Sequence, residues 1–290
     1  MIARPVQVAR SIHSAVVLAR PLNCLVASAS VAIGAFLAGH SVSLRSGLAA
    51  AMTLLVCAGA YVVNDYFDVA ADRLSKPHRP LAAGLVPPAL ALTYALALWV
   101  GAGVFALLAS RVAVAFFAAW AGGLWLYSSR LKVRGVWGHL VVSLIASSGF
   151  VLGAAGEGRV MAGLIPAGIA AVFHLARETA KGAADAAGDG AVGVRTLAVR
   201  IGEEAALTLT LWLIVAAAVA SLAPVILRIY GFLYLLIVLV GVFPLLAVCA
   251  YRIAVVRGGG AGLAKTASSV AGVLKLAMLA GLVALVFAGL

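Results

Sequence analysis

Six of the nine acidic residues in this 290-residue sequence fall into two short segments that contain regularly spaced polar side chains. In the first segment, Asn64, Asp68 and Asp72 follow one another at intervals of four residues. The second segment has intervals of three, four and four residues and consists of Glu178, Lys181, Asp185 and Asp189. Because residues three or four apart share one face of a helix, each segment predicts a polar stripe along a helix.

Stacked carboxylates of this kind call for a cation, because two like charges 4 Å apart at an effective dielectric constant of about 20 repel by roughly 4 kcal/mol. Oxygen ligands without a cluster of His or Cys favour Mg²⁺, which often bridges to phosphate. Lysine and arginine bind phosphate, and several accompany the acids: Lys76, Arg79, Arg130, Lys132, Lys181 and Arg195. The acids could instead be helix caps and loop charges, but two matching stripes favour a site for Mg²⁺ and a diphosphate with an apolar chain.

The elements that position these side chains must lie in a membrane. Hydrophobic residues make up 65% of the chain and charged residues only 10%, whereas a soluble domain has about 25% charged residues. This composition excludes an ordinary soluble protein. In a soluble chain, the net charge of +12 would suggest a nucleic-acid partner. For this chain we predict that the partners are membrane lipids and that no nucleic acid binds.

Nine segments are apolar and approach the length of about 20 residues that a membrane-spanning helix needs. They are Leu22–Leu37, Gly47–Val63, Ala89–Ala109, Val112–Leu126, Val136–Ala155, Val160–Leu175, Ala205–Ala223, Ile229–Ala250 and Thr266–Leu290. We predict one membrane domain over residues 1–290, in which residues 1–20 form a basic interfacial segment. Both acidic segments then lie at the same membrane face, after the second and sixth spans.

The distribution of basic residues predicts the orientation of the nine spans. Sixteen of the 21 Lys and Arg residues lie on the N-terminal side of the membrane, four lie on the other side, and Lys275 lies within the ninth span. The positive-inside rule places the N-terminus and the loops with the acidic segments in the cytoplasm. We therefore expect a multi-pass protein of the cell membrane. Lys275 should face a cavity or extend its charge towards the interface.

The motifs around the acids resemble those of the UbiA superfamily of intramembrane prenyltransferases. The family's NDxxDxxxD signature corresponds to Asn64–Asp72, with a KPxRPxxxG-like tail from Lys76 to Gly84. Its DxxxD signature corresponds to Asp185–Asp189. Two further stretches, Tyr127–Lys132 and Arg20–Cys24, are similar to the family's YSxxLK and RPxNC segments. The resemblance covers the whole chain, from the first span to the last.

This resemblance implies an all-α integral membrane fold of nine helices around a central cavity, with a prenyl diphosphate bound through Mg²⁺. It implies Asp68, Asp185 and Lys181 as catalytic residues. The implied metal ligands are Asn64, Asp68, Asp72, Asp185 and Asp189. The implied contacts to the diphosphate or the acceptor are Asn23, Asp72, Arg79, Tyr127, Arg130, Lys132, His139, Arg177, Glu178 and Arg195. Loss of diphosphate would give an allylic cation, which a nucleophile captures in a site shielded from water.

The second acidic segment also bears on the acceptor. It begins with an RExxK motif at Arg177–Lys181 and ends with a DxxGD motif at Asp185–Asp189. Both motifs resemble those of digeranylgeranylglyceryl phosphate synthases, which prenylate a glycerol phosphate lipid precursor. The extra cation at Lys181 suits an anionic acceptor. The sequence differs from the common family pattern at Gly182, where an acid usually follows the Lys, at His139, where many members have Asn, and at 82–83.

Two main alternatives remain open at this point, beside the less favoured transfer of a polyprenyl phosphate to a sugar phosphate and terpene cyclisation. One is prenyl transfer to an aromatic acceptor, as in quinone biosynthesis. The other is a non-enzymatic membrane carrier of an anionic lipid, which the basic rim would favour. A carrier commonly has inverted repeats and broken helices, whereas the motifs here all lie at one face of the predicted membrane domain.

Overall fold

The computed structural model describes residues 13–256 and 262–288, and these residues contain nine helices long and apolar enough to cross a membrane. They are α1 (Pro21–Gly39), α2 (Leu44–Phe67), α3 (Pro88–Ala109), α4 (Arg111–Arg134), α5 (Val136–Gly156), α6 (Val160–Ala191), α7 (Glu203–Ile226), α8 (Phe232–Val256) and α9 (Leu263–Val286). No β-strand occurs in this described part of the chain. The predicted all-α fold and its nine spans are confirmed, and the protein is a multi-pass membrane protein.

Several helix ends differ from those that hydropathy predicts. The second helix continues past Val63 to Phe67, and the sixth continues past Leu175 to Ala191. Both extensions are polar but helical: the sixth is rich in alanine, the residue with the highest helix propensity. As a result the whole second stripe, from Glu178 to Asp189, lies on one continuous helix.

The ends of the chain are only partly described. Residues 13–19 are helical, whereas the rest of the predicted interfacial segment, residues 1–12, lies outside the described residues. The ninth helix begins at Leu263 rather than Thr266. The predicted end of its span at Leu290 also falls outside the described residues.

The first stripe lies on two helices rather than one. α2 ends at Phe67, and a short helix, Val69–Ser75, begins after Asp68. The backbone nevertheless keeps its i to i−4 hydrogen bonds across this junction, from Asp68 N to Asn64 O at 3.0 Å and from Asp72 N to Asp68 O at 2.8 Å. Asn64, Asp68 and Asp72 therefore remain in register on one side.

Small residues let the central helices approach closely. A Cβ atom at Gly34 in α1 would lie only 2.8 Å from the Cα of Phe150 in α5, and one at Gly153 in α5 would lie 2.8 Å from the backbone N of Ala35. Such close approach of backbones is the usual means of helix association in membranes. It brings α1 and α5 together beside α6, which also contacts α7 and α9. α6 thus occupies a central position.

A carboxylate joins two loops at the end of the bundle opposite the acidic segments. Glu157 Oε1 accepts hydrogen bonds from Ser43 Oγ and Ser46 Oγ, both at 2.6 Å, and from Ser43 N at 3.2 Å. Nearby, Arg159 donates to the carbonyl oxygen of Ala38 at 3.1 Å. These bonds connect the α1–α2 loop to the α5–α6 loop.

The hydrogen bonds from Ser43 and Ser46 lower the pKa of Glu157 below its ordinary value, although burial acts in the opposite direction. A group with a lowered pKa stabilises the fold while it is ionised. This contribution is present above the ordinary glutamate pKa of about 4.3, and it is lost as the pH falls through the lowered pKa. We expect Glu157→Gln to reduce stability at pH 7 by about 1–2 kcal/mol and to have little effect well below pH ~4.

Thermal unfolding in detergent at both pH values measures this difference. Glu204→Gln is the matched control, because Glu204 is exposed and no described residue forms an ion pair with it. An equal unfolding midpoint for Glu157→Gln and the natural protein at pH 7 would contradict a stabilising role for this carboxylate.

Candidate functional site

The two acidic segments meet in a polar pocket of about 80 Å³, which we call the carboxylate pocket. Eleven of the fifteen predicted site residues line it: Asn64, Asp68, Asp72, Arg79, Tyr127, Lys132, His139, Glu178, Lys181, Asp185 and Asp189. They come from α2, the short helix after it and the loop that follows, the end of α4, the start of α5, and α6. Long-range packing of these elements therefore brings both stripes to one place.

Two lysines cross the pocket to pair with the central carboxylates. Lys132 Nζ lies 2.7 Å from Asp68 Oδ2, which also accepts a hydrogen bond from Asn64 Nδ2 at 2.8 Å. Lys76 Nζ lies 2.7 Å from Asp185 Oδ1. The Lys76–Asp185 pair is partly exposed, with 29% and 30% of the two side chains accessible. Ion pairs with this exposure exchange partners at low cost, because water can solvate the separated charges.

A more deeply buried network lies beside the pocket. The Asp65 carboxylate is 3% exposed and contacts Arg20 at 2.5 Å and Arg79 at 3.2 Å. Arg79 also contacts Asp72 at 2.6 Å. Burial acts to lower the pKa of Arg79, but the carboxylates of Asp65 and Asp72 outweigh it and raise that pKa above its ordinary value. Arg79 stays charged and links α2 to the loop that follows the short helix.

The side chains that line the carboxylate pocket balance in charge. Five are acidic, namely Asp68, Asp72, Glu178, Asp185 and Asp189, and five are basic, namely Arg20, Lys76, Arg79, Lys132 and Lys181. Within residues 13–256 and 262–288, no three His, Cys, Asp or Glu side chains are arranged to hold a metal ion by themselves. The carboxylate and amide oxygens still suit Mg²⁺, which keeps several waters and shares its coordination with phosphate. A pocket without net charge suits a phosphate group that binds together with Mg²⁺.

A second, larger cavity adjoins the carboxylate pocket. This apolar cavity has a volume of about 300 Å³, and its lining comes from α1, α2 and α4 to α9. The two spaces share five lining residues: Arg20, Asn64, Tyr127, Glu178 and Lys181. Asn23 and Arg177, both predicted site residues, line the apolar cavity. Lys275 lines it too, which decides between the two orientations considered for this residue.

Two predicted site residues lie elsewhere. The side chains of Arg130 and Arg195 are exposed and line neither space. Arg130 belongs to a π-helical turn, Tyr127–Leu131, which directs Tyr127 into the site and Arg130 away from it. The structure therefore does not bring these two cations to the carboxylates.

Sequence reasoning missed three residues of the site. Asp65 and Arg20 form the buried network, and Thr196 lines the pocket with a buried hydroxyl that has no hydrogen-bond partner among the described residues. Asp65 carried a usable signal, because an acid at the end of a membrane span is costly unless it has a partner. Thr196 carried none, because its place depends on the packing of the loop after α6.

The two departures from the family pattern at 139 and 182 are neighbours in space. His139 is 8% exposed, and its Nδ1 atom is buried without a hydrogen-bond partner in the described residues. A Cβ atom at Gly182 would lie 3.2 Å from His139 Cε1 and 3.5 Å from its Nε2. A side chain at position 182 would therefore contact the imidazole of His139.

Comparison with known proteins gives consistent matches. Residues 26–265 match the UbiA prenyltransferase family. The digeranylgeranylglyceryl phosphate synthase of Halobacterium salinarum is 40% identical over 235 residues, which is 80% of this chain and 85% of that protein. A solved structure of a digeranylgeranylglyceryl phosphate synthase in membranes is 28% identical, with a TM-score of 0.69 over 96% of this chain and 98% of that one.

A UbiA homologue from Archaeoglobus fulgidus, solved with GPP and Mg²⁺ bound, shares the fold at lower identity. It is 18% identical to this chain, with a TM-score of 0.62 over 94% of this chain and 99% of that one. At this identity the likeness concerns the arrangement of helices.

The geometry predicts that Asp65 and Asp185 differ in their contribution to stability. Asp65→Asn leaves Arg20 without its carboxylate partner and Arg79 with Asp72 alone, and loss of one member of a buried pair costs about 3–5 kcal/mol. Asp185→Asn breaks a pair that is partly exposed, which costs less than about 1 kcal/mol. Thermal unfolding of both variants in detergent tests the difference, and equal midpoints for the two would contradict it.

Proposed function

The chain belongs to the UbiA prenyltransferase family, and we propose that it transfers a geranylgeranyl group from its diphosphate to the free hydroxyl of geranylgeranylglyceryl phosphate. The protein is a membrane prenyltransferase. The observation that carries the proposal is the junction of the carboxylate pocket with the apolar cavity, because a prenyl diphosphate has an anionic head and a long apolar chain. The acceptor is supported by the names of the relatives, whose product carries two geranylgeranyl groups on one glyceryl phosphate.

We propose Mg²⁺ as the cofactor of the carboxylate pocket. Its ligands would come from Asn64, Asp68, Asp72, Asp185 and Asp189, all of which line that pocket with oxygen atoms. Support comes from this donor set and from the homologue that holds GPP together with Mg²⁺. When bound, Mg²⁺ supplies Lewis-acid stabilisation of the charge that develops on the departing diphosphate.

The basic side chains of the pocket have a separate role. Lys132 and Lys76 now contact Asp68 and Asp185, and a diphosphate in the pocket would give both ammonium groups new partners. Arg79, fixed by Asp65 and Asp72, would present a constant positive charge at the rim. These cations stabilise the diphosphate more as its negative charge grows, which is the differential binding that accelerates the reaction.

The bond changes follow from the two spaces. The acceptor hydroxyl oxygen forms a bond to C1 of the prenyl group, and the bond from C1 to the diphosphate oxygen breaks. The electron pair of that bond leaves on the diphosphate, and the hydroxyl proton is released with it. The apolar walls around the chain exclude water, which would otherwise capture the allylic cation and yield the free alcohol.

We also propose that the N-terminus and the carboxylate pocket face the cytoplasm. The acidic segments lie at the end of the bundle where the even-numbered helices finish, and 16 of the 21 basic residues belong to this side of the chain. The positive-inside rule supports this orientation. A cytoplasmic pocket would also meet soluble diphosphate and Mg²⁺ directly.

The proposed function predicts the product of a defined assay. Purified protein in detergent, given geranylgeranyl diphosphate, Mg²⁺ and geranylgeranylglyceryl phosphate, should form digeranylgeranylglyceryl phosphate, which mass spectrometry identifies. Parallel reactions contain hydroxybenzoate or another aromatic acceptor. Product from an aromatic acceptor alone would contradict the glycerol phosphate assignment, and no prenylated product from any acceptor would contradict the activity.

Variants and metal removal serve as controls for this assay. Asp68→Ala and Asp185→Ala should each reduce kcat by at least about 100-fold, whereas Glu204→Ala, outside both spaces, should leave it unchanged. EDTA should abolish turnover, and added Mg²⁺ should restore it. Activity that persists in both Asp variants or in EDTA would contradict the assignment of the pocket.

The proposed orientation predicts which introduced cysteines an impermeant maleimide labels in intact cells. Ser41→Cys, in the loop opposite the pocket, should react from outside. Leu74→Cys, beside the pocket, should react only after permeabilisation, and both positions are exposed on the protein. The natural Cys24 and Cys249 are buried and are replaced, with Cys57, in the background used for labelling. The reverse pattern would contradict a cytoplasmic pocket.

A further inference from the structure

More basic than acidic side chains line the apolar cavity. Four basic side chains line it, Arg20, Arg177, Lys181 and Lys275, but only one acidic side chain, Glu178. A positive charge within a membrane protein is costly unless a partner or a ligand compensates it. This excess of positive charge therefore indicates that an anionic ligand enters the apolar cavity.

Two of these cations already have strong partners. Arg20 contacts Asp65 at 2.5 Å, and Lys181 Nζ donates to both oxygens of Glu178 at 2.9 Å. Arg177 is bound more weakly, because its NH1 atom lies 3.4 Å from Glu178 and its Nε atom is buried without a partner among the described residues. Arg177 thus retains hydrogen-bonding capacity.

Lys275 lines the apolar cavity, and no carboxylate within residues 13–256 and 262–288 pairs with it. It lies twelve residues into α9, which places it about 18 Å along that helix. α9 packs against α6, and Lys275 and Arg177 line the same cavity.

Arg177 and Lys275 line the apolar cavity and not the carboxylate pocket. Arg177 precedes Asp185 by eight residues on the continuous helix α6, which corresponds to about 12 Å along its axis. They are therefore separate from the groups that would hold the diphosphate. Tyr127, Lys181 and Glu178 line both spaces, and Glu178 directly follows Arg177 on α6.

We propose that Arg177 and Lys275 form a subsite for the phosphate of the acceptor, an inference that rests on the proposed function. A phosphate monoester carries a charge of about −1.5 to −2 at pH 7, which two cations neutralise. Lys181 keeps the charge of Glu178 compensated, so this carboxylate does not oppose the ligand. A neutral acceptor would leave Lys275 without an anionic partner and the Nε atom of Arg177 without a hydrogen-bond partner.

The subsite also positions the nucleophile. In geranylgeranylglyceryl phosphate the free hydroxyl is on the glycerol carbon next to the one that carries the phosphate. A phosphate held by Arg177 and Lys275 places this hydroxyl towards the shared residues Tyr127 and Lys181, on the side of the carboxylate pocket where C1 of the donor would lie. Lys275 is in this sense a specificity residue that acts on the acceptor and not on the donor.

Lys275→Met tests the subsite through separate KM values for the two substrates. It should raise the KM for geranylgeranylglyceryl phosphate at least about tenfold and leave the KM for geranylgeranyl diphosphate within about twofold. Lys275→Arg, which keeps the charge, should retain most of the affinity. Lys265→Met is the matched control, because Lys265 lies on the same helix, is exposed and lines neither space.

A binding measurement without turnover provides the second test. Without donor and Mg²⁺, geranylgeranylglyceryl phosphate should raise the unfolding temperature of the natural protein, whereas geranylgeranylglycerol, which lacks the phosphate, should raise it far less. Lys275→Met and Arg177→Gln should remove this difference. A difference that persists in both variants, or a KM for the acceptor that stays unchanged in Lys275→Met, would overturn the subsite.

The two proposals can fail separately. If the natural protein forms no product from geranylgeranylglyceryl phosphate, the proposed function is wrong and the subsite is wrong with it. If the natural protein forms this product and Lys275→Met keeps the same acceptor KM and the same preference for the phosphorylated acceptor, only the subsite is wrong.

Discussion

The buried carboxylate of Asp65 is the interaction on which the arrangement of the site depends. It joins Arg20, which precedes α1, to Arg79, in the loop beyond α2, and Arg79 in turn holds Asp72. The segment before α1, which lies 45 residues from Asp65 in sequence, is thereby fixed to the end of α2 and to the loop that follows the short helix. Breaking a buried pair is costly, so this network is rigid. The partly exposed Lys76–Asp185 pair beside it is less costly to break.

The site thus separates two kinds of ion pair by depth. Asp65 lies behind the stripe and serves the scaffold, whereas Asp68 and Asp185 face the pocket with lysine partners that a ligand can displace. The same separation applies along α6. Its outer acids, Asp185 and Asp189, belong to a polar compartment, and its inner cation Arg177 belongs to an apolar one.

The nine spans and both polar stripes could be predicted because hydropathy and helical spacing are local properties of the sequence. The continuation of α6 to Ala191 was underestimated, since hydropathy falls where the helix does not end. The places of Asp65, Arg130 and Lys275 depend on packing between distant segments and on a π-helical turn. No local pattern encodes those contacts. The roles of the site residues remain predictions, which the chemistry of their side chains supports.

The contact between His139 and Gly182 couples substitutions at these two positions. A side chain gained at position 182 meets the imidazole almost at once, because even a Cβ atom there would lie 3.2 Å from it. Replacement of His139 by a smaller residue removes that obstacle. Transplanting the second acidic segment from a relative that has a side chain at 182 would therefore be easier if position 139 were exchanged with it.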